Sequence, residues 1–113
     1  MSKHILVVLS NCHEGTDDAF NKWYTNTHLP DVVKVPGFSA AQRYRVSDTQ
    51  MSEGPLPYQY LAVYEVESDD VNLPKEGLAK AAAEGASMYI DPSLDRDKTV
   101  AWFYTPVAGR VSR

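Results

Sequence analysis

Apolar runs with strand spacing and helix spacing alternate along the chain. Residues 3–10, 38–47, 58–67 and 99–107 are rich in β-branched or aromatic side chains, which is typical of strands. A polar loop containing glycine and proline separates the two middle runs, so we expect these two strands to pair antiparallel.

The first helix is predicted to begin just after the first strand and a short turn. Thr16 supplies a hydroxyl cap, and Asp17 and Asp18 follow it, where the helix dipole favours acidic side chains. We expect this helix to run to about His28. Pro30 then either closes it or begins a short second turn.

The second helix is alanine-rich and is predicted at residues 75–84, with Pro74 in its first turn and Gly85 at its end. The element order is then β-α-β-β-α-β. This order predicts an α+β, ferredoxin-like domain spanning residues 1–113, with a four-stranded antiparallel sheet and both helices on one face. A length of 113 residues with 43% hydrophobic content is enough for one core.

The helix-free face of the predicted sheet needs a cover of its own. The first strand is apolar at every position from Ile5 to Leu9, so both of its faces are hydrophobic. Two such sheets packed face to face would bury this surface, and the sequence therefore predicts a homodimer.

Charge and composition exclude several classes of partner. The net charge is −4 and the basic residues are scattered among acids, so no basic stripe is available for nucleic acid. No segment approaches the roughly 18 consecutive apolar residues that cross a membrane. Cys12 is the only cysteine, which rules out an internal disulfide and makes a cytoplasmic location the expectation.

An aromatic stripe with a titratable end lies on the first predicted helix. At helical spacing, one face carries Phe20, Trp23, Tyr24, Thr27 and His28, and this face is expected to pack on the sheet. Two interpretations remain open from spacing alone. The stripe is either the wall of a site, or core filling in which His28 is only a helix-end imidazole favoured by the dipole.

The stretch FNKWYTNTHLPD at residues 20–31, followed by Val35-Pro36-Gly37-Phe38, resembles the signature of the EthD-like branch of the dimeric α+β-barrel superfamily. That signature is an aromatic pair, three residues and His-x-Pro. The resemblance covers the first third of the chain. It implies a ferredoxin-like subunit whose sheet packs against its twin's, with a small-molecule cavity between each sheet and its own helices and His28 at its mouth.

One residue departs from the family pattern. The position after His-x-Pro is usually apolar in the family, whereas this chain has Asp31. The carboxylate either neighbours His28 or caps the turn.

The start of the chain, Lys3-His4-Ile5-Leu6-Val7, resembles the start of plant polyketide cyclases of the same fold. In those proteins the matching histidine lines the cavity. The resemblance implies that the cavity face of the first strand shows His4, Leu6 and Val8, and alternation then aligns Tyr60, Ala62 and Tyr64 from the third strand. An exposed histidine near the terminus is the alternative for His4.

A pocket with these side chains suits proton transfer. His28 can take a proton next to a carbonyl near neutral pH, and Tyr24 or Tyr64 can donate a hydrogen bond to the enolate oxygen that forms. Such chemistry needs neither a metal nor another cofactor. The three histidines of the chain are too widely spaced to form a local metal-ligand motif. The predicted substrate-binding walls are His4, Phe20, Trp23, Tyr60 and Arg43.

Arg43 and Arg45 share one face of the second strand, where either side chain can hold a substrate carboxylate through a two-pronged contact. Pairing across a dimer interface and exposure to solvent are the alternatives.

Three functions remain open from the sequence. The leading hypothesis is a cofactor-independent acid–base enzyme, a cyclase, dehydratase, isomerase or lyase, acting on a small aromatic or carbonyl-bearing molecule. The second is a cofactor-free monooxygenase of phenols or quinols. The third is a non-catalytic small-molecule-binding or stress-associated dimer, because fold alone does not separate a binder from an enzyme.

Overall fold

Four strands form one antiparallel sheet in the order β2-β3-β1-β4 in a computed structural model of the chain. The structure describes residues 3–83 and 87–113. The strands are β1 (Lys3–Ser10), β2 (Phe38–Arg45), β3 (Tyr60–Glu67) and β4 (Val100–Tyr104). Their order and the two helical segments between them confirm the predicted ferredoxin-like α+β fold.

The strands β2 and β3 are shorter than predicted at the ends that face the loop between them. The side chain of Asn11 takes the place of a strand partner there. Its amide nitrogen donates to the carbonyl of Pro57 over 2.9 Å, and its oxygen accepts from the N–H of Gln59 over 3.0 Å. These two bonds satisfy the carbonyl of Pro57 and the N–H of Gln59, and the N–H of Val46 donates to the carbonyl of Gln59 over 2.8 Å. The strand register ends at the pair of Arg45 and Tyr60.

The first helical segment continues past Pro30, which is the second of the two predicted alternatives, and it changes its winding on the way. It consists of α1 (Asp17–Trp23), a π-helical turn (Tyr24–His28) and α2 (Leu29–Val33), with helical backbone at both junctions. The N–H of Leu29 donates to the carbonyl of Tyr24, five residues back. This wider turn admits Pro30, which has no N–H to donate, and the helix continues past it.

The start of α1 differs from the prediction in one detail. The hydroxyl of Thr16 makes no cap hydrogen bond to the helix and instead donates to the carbonyl of His13 over 2.6 Å. The predicted hydroxyl cap is therefore wrong: Thr16 has φ −109° and ψ 14°, outside the extended conformation in which an N-cap oxygen accepts from the first N–H groups of the helix. Asp17 and Asp18 occupy the first turn as predicted.

The second helix, α3 (Asn72–Ala82), begins earlier than predicted and includes Pro74 in its first turn. The predicted end at Gly85 lies outside the described residues, as does Glu84. A single 3₁₀ turn at Arg96–Lys98 precedes β4. None of the helices in the described ranges is long and apolar enough to cross a membrane.

The core lies between the helices and one face of the sheet. The strand register pairs His4 with Val66, Leu6 with Tyr64 and Val8 with Ala62, so alternate residues of β1 and β3 share this face as predicted. Residues of this face and of the first helical segment are almost fully buried, among them Leu6, Ala62, Tyr64, Val66, Phe20, Trp23, Tyr24 and Val32.

The opposite face of the sheet keeps large apolar side chains in contact with solvent. Trp102 pairs with Val7 of β1, and it is 49% exposed. Tyr104 on the same strand and Tyr44 on β2 are exposed to a similar extent. We name this surface the open face. Phe103, between Trp102 and Tyr104 in the chain, points to the helix-covered face and packs against the core.

Candidate functional site

An aromatic cluster fills the space between the first helical segment and β3. The ring of Phe20, which is fully buried, lies 5.5 Å from that of Tyr24, 5.2 Å from that of Tyr60 and 6.0 Å from that of Trp23, measured between centroids. These tilted and edge-on arrangements are the favourable ones for aromatic pairs. The predicted stripe therefore packs on the sheet, with Phe20, Trp23 and Tyr24 as its buried part.

The π-helical turn determines where His28 lies. In a regular α-helix His28 would stack over Tyr24, four residues back, but the wider turn brings its ring beneath Trp23, five residues back. The two ring centroids are 4.7 Å apart and the planes differ by 28°. The ring of Tyr24 meets His28 edge-on at 4.8 Å.

The imidazole of His28 is largely withdrawn from water. Its Nδ1 is buried and has no hydrogen-bond partner in the described part of the chain. Burial lowers the pKa of His28 from 6.5 to about 4; Asp31 opposes this shift and Arg43 adds to it. The ring is therefore neutral at pH 7, and its neutral form can accept a proton.

The buried phenol of Tyr24 contacts this imidazole, and a second buried phenol, that of Tyr64, is hydrogen-bonded to Tyr24. The hydroxyl of Tyr64 donates to the hydroxyl of Tyr24 over 3.0 Å. Because Tyr24 accepts this bond, its own O–H proton is left to donate elsewhere. Burial raises the pKa of both phenols, so both remain protonated donors at neutral pH.

A guanidinium covers the outer side of the cluster. The Cζ of Arg43 lies 4.5 Å from the ring centroid of Tyr24, 5.3 Å from that of Tyr60 and 5.5 Å from that of Phe20. These distances are in the cation–π range. The structure thus brings together seven of the eight residues predicted for the site: His28, Tyr24, Tyr64, Phe20, Trp23, Tyr60 and Arg43.

Two helix residues that the sequence analysis missed hold Arg43 in place. Its Nη1 donates to the hydroxyl of Thr25 over 2.9 Å, and its Nη2 donates to the side-chain oxygen of Asn21 over 2.9 Å. Asn21 and Thr25 are four residues apart and form a polar stripe beside the aromatic one, which was the available signal. The sequence does not show that Arg43 faces this stripe, because that contact depends on how β2 packs against the helix.

The hydroxyl of Tyr60 belongs to the same polar rim. It accepts from the side-chain amide of Asn21 over 3.1 Å and donates to the carboxylate of Asp17 over 2.8 Å. The bond from Tyr60 lowers the pKa of Asp17. Tyr60 therefore presents its ring to the core and its hydroxyl to the surface.

Other predicted residues lie elsewhere. Thr27 is exposed, so its predicted place on the stripe is wrong; the π-helical turn rotates it away from the sheet. His4 lies at the end of the sheet, where its Nδ1 is 3.1 Å from the hydroxyl of Thr105 and its ring lines a separate cavity of about 390 Å³. The carboxylate of Asp31 lies 3.8 Å from Nζ of Lys34 and also acts electrostatically on His28.

A cleft opens where the polar rim meets the edge strand β2. Its volume is about 370 Å³, and it is lined by Asn21, Arg43, Tyr44, Arg45 and Tyr60. Arg43 and Arg45 thus share one face of the strand, as predicted, and both reach this cleft. Within residues 3–83 and 87–113, no three potential metal ligands of the His, Cys, Asp and Glu types lie together.

The four-stranded antiparallel sheet and its two helical segments define a ferredoxin-like α+β protein, which is the subunit fold that the sequence resemblance implies. More specifically, the chain belongs to the DUF4286 family, whose model is described as a domain of unknown function and matches residues 3–75. A search among curated proteins gave no match to the sequence.

Three solved structures illustrate the fold. The haem-degrading protein MhuD from Mycobacterium tuberculosis, solved with two haems in its active site, is 18% identical, with 96% of this chain and 99% of that chain covered and a TM-score of 0.65. The cofactor-independent oxygenase SnoaB from Streptomyces nogalater is 16% identical, with coverages of 96% and 97% and a TM-score of 0.58. An EthD-family protein from Bacillus halodurans is 15% identical, with coverages of 95% and 100% and a TM-score of 0.50. At sequence identities this low, the structural similarity establishes a shared fold only, and function must be argued from the site.

Proposed function

We propose that the protein is a cofactor-independent enzyme in which His28 accepts a proton from a small aromatic or carbonyl-bearing molecule. The observation that carries this proposal is the position of the His28 imidazole, which meets the ring of Tyr24 edge-on at 4.8 Å, while the guanidinium of Arg43 lies 4.5 Å from the centroid of that same ring. The imidazole is neutral at pH 7, and its lowered pKa of about 4 makes it a weaker base than an exposed histidine. A cyclase, dehydratase, isomerase or lyase reaction would each begin with this proton transfer.

The neighbouring groups suit the anion that proton removal creates. The O–H of Tyr24 is the free donor of the phenol pair, and it can donate to an enolate or phenolate oxygen. The cation of Arg43 lies over the ring of Tyr24 and adds favourable electrostatic potential. Both effects are stronger away from bulk water than at a surface. The proton held by His28 can then return to another atom of the product.

A cofactor-free monooxygenase is the second candidate, and the aromatic lining of the site favours it. Removing a proton from a phenol or quinol gives an electron-rich anion that reacts with oxygen, so the first step is the same. The shared fold with SnoaB is compatible with this chemistry. Oxygen uptake separates the two candidates, and a haemin titration tests whether the protein takes up haem at all.

Replacing His28 with alanine should abolish turnover. General base catalysis typically contributes about 10²–10⁴-fold, and we expect a loss of that size. The assay follows a panel of phenols, quinols and 1,3-dicarbonyl compounds by substrate loss, solvent deuterium incorporation and oxygen uptake. His13→Ala is the matched control, because it removes an imidazole that is 56% exposed in a loop.

The same panel can contradict the proposal in two ways. Full turnover by a folded His28→Ala protein would remove His28 from the mechanism. No turnover of any panel compound by the unmodified protein would favour the third hypothesis, a non-catalytic dimer that binds small molecules.

We also propose that two copies pair through the open face. Trp102, Tyr104 and Tyr44 are each about half exposed on this face, and exposed large apolar side chains on one surface are typical of protein–protein contacts. Trp102→Glu should therefore shift the protein from dimer to monomer in sedimentation velocity, since a buried unpaired carboxylate is costly. Leu73→Glu is the control, because Leu73 is 65% exposed on α3, away from this face. A monomeric unmodified protein would contradict the proposal.

A further inference from the structure

The cleft beside Tyr60 carries positive charge and no acidic lining. Its lining residues, given above, include two arginines and no carboxylate. The acidic side chain nearest in the hydrogen-bond network is Asp17, and its carboxylate accepts the hydroxyl proton of Tyr60. The cleft lies on β2, at the edge of the sheet, where a small molecule can enter from solvent.

The guanidinium of Arg43 has N–H donors for which the described part of the chain supplies no acceptor. Its guanidinium is only partly exposed and packs on aromatic rings. Hydrogen bonds to Thr25, the carbonyl of Asn21 and the side chain of Asn21 use three of its donors. A guanidinium has five N–H donors, so two are left without an acceptor in the described ranges.

The acceptors that hold Arg43 are all uncharged. A hydroxyl, a backbone carbonyl and an amide oxygen orient the guanidinium without neutralising it. Cations withdrawn from water are normally paired with an anion. Burial lowers the pKa of Arg43, which shows that the surroundings disfavour the unpaired charge. An anionic ligand would offset this cost.

We infer that the Arg43–Arg45 cleft binds the carboxylate of a small aromatic acid, with the aromatic body beside Tyr60. This inference rests on the proposed function, because it names the substrate class for the same site. Carboxylates accept paired hydrogen bonds from guanidinium groups, and aromatic rings pack well against tyrosine. Arg43 faces both the cleft and the ring of Tyr24, so a carboxylate bound there would anchor the substrate next to the aromatic cluster.

The test is a titration of the full-length protein with benzoate at pH 7, followed by NMR of the arginine Nε and backbone amide signals. Benzamide is the neutral probe of the same shape. We expect benzoate to shift the signals of Arg43, Arg45 and Tyr60, and to bind at least about tenfold more tightly than benzamide, as expected for a charge-assisted contact.

Variants separate the two arginines from general charge effects. Arg45→Gln should weaken benzoate binding about threefold or more, and Arg43→Lys should weaken it further, because lysine lacks the planar fork. Arg96→Gln is the matched control, since Arg96 is an exposed arginine in the 3₁₀ turn before β4. It should leave benzoate binding unchanged. Arg45→Gln preserves the Arg43 anchor, so it remains informative if Arg43→Lys misfolds.

Three outcomes would overturn the inference: equal binding of benzamide and benzoate, unchanged binding in folded Arg43→Lys and Arg45→Gln proteins, or tighter binding of inorganic phosphate than of benzoate. The last would assign the cleft to phosphoryl groups. Because this readout involves no chemistry, it is independent of the His28→Ala assay. Benzoate binding without turnover of any panel compound would count against the proposed reaction alone. Turnover without benzoate binding would count against the carboxylate site alone.

Discussion

Replacing Phe20 with alanine is expected to lower the free energy of unfolding by about 3–5 kcal/mol. The ring is fully buried and contacts the rings of Trp23, Tyr24 and Tyr60. Its removal loses the transfer free energy of a large apolar side chain and leaves a cavity that fixed neighbours on β3 cannot fill. Urea unfolding followed by circular dichroism measures the change.

The matched control is Lys22→Ala, two residues further along α1. Lys22 is exposed and lysine has nearly the helix propensity of alanine, so this change should stay within about 0.5 kcal/mol. A loss below about 1 kcal/mol for Phe20→Ala would mean that the aromatic cluster does not hold the helix on the sheet. The positions of Tyr24 and His28 would then have to be fixed by other contacts.

The order and positions of the strands were predictable because they are local properties of the sequence. The first strand is a continuous β-branched run, and its predicted bounds, Lys3 to Ser10, are those of the structure. The ends of β2 and β3 were not predictable in the same way. The chain just before β3 is held by Asn11, a residue far away in the sequence whose side chain bonds to the carbonyl of Pro57 and the N–H of Gln59.

The candidate site, too, was predictable where it depends on local spacing and not where it depends on the helix winding. Helical spacing was enough to bring Phe20, Trp23 and Tyr24 to one face, because three- and four-residue spacings hold in any α-helix. It was wrong for Thr27, since the π-helical turn adds a residue to that turn and no propensity scale anticipates it. The same turn stacks His28 on Trp23 rather than Tyr24.

The role of Arg43 needed information that only the folded chain contains. Alternation placed Arg43 and Arg45 on one face of their strand, but it did not say which face. The pairing of Arg43 with Ala62 assigns it to the helix side, against Asn21 and Thr25. For the same reason, Trp102 and Tyr104 were assigned to the open face only by their register with β1.

The pKa of His28 predicts a strong dependence of protein stability on pH. Its pKa is lowered to about 4 in the folded protein, whereas an unfolded histidine has a pKa near 6.5. Between these values the unfolded chain binds a proton that the folded chain does not. This contribution to the free energy of unfolding is therefore fully present above about pH 6.5 and is lost as the pH falls towards 4, by about 3 kcal/mol in total.

The measurement compares urea unfolding of the unmodified protein and of His28→Phe at pH 7.0 and pH 4.5. Phenylalanine keeps a ring beneath Trp23 but cannot titrate, so His28→Phe should lose less stability than the unmodified protein over this range. Carboxylates titrate in both proteins, and their contribution cancels in the difference. Imidazole signals in two-dimensional NMR give the pKa of His28 directly. Equal losses in the two proteins, together with an imidazole that titrates near pH 6.5, would mean that burial does not lower the pKa of His28.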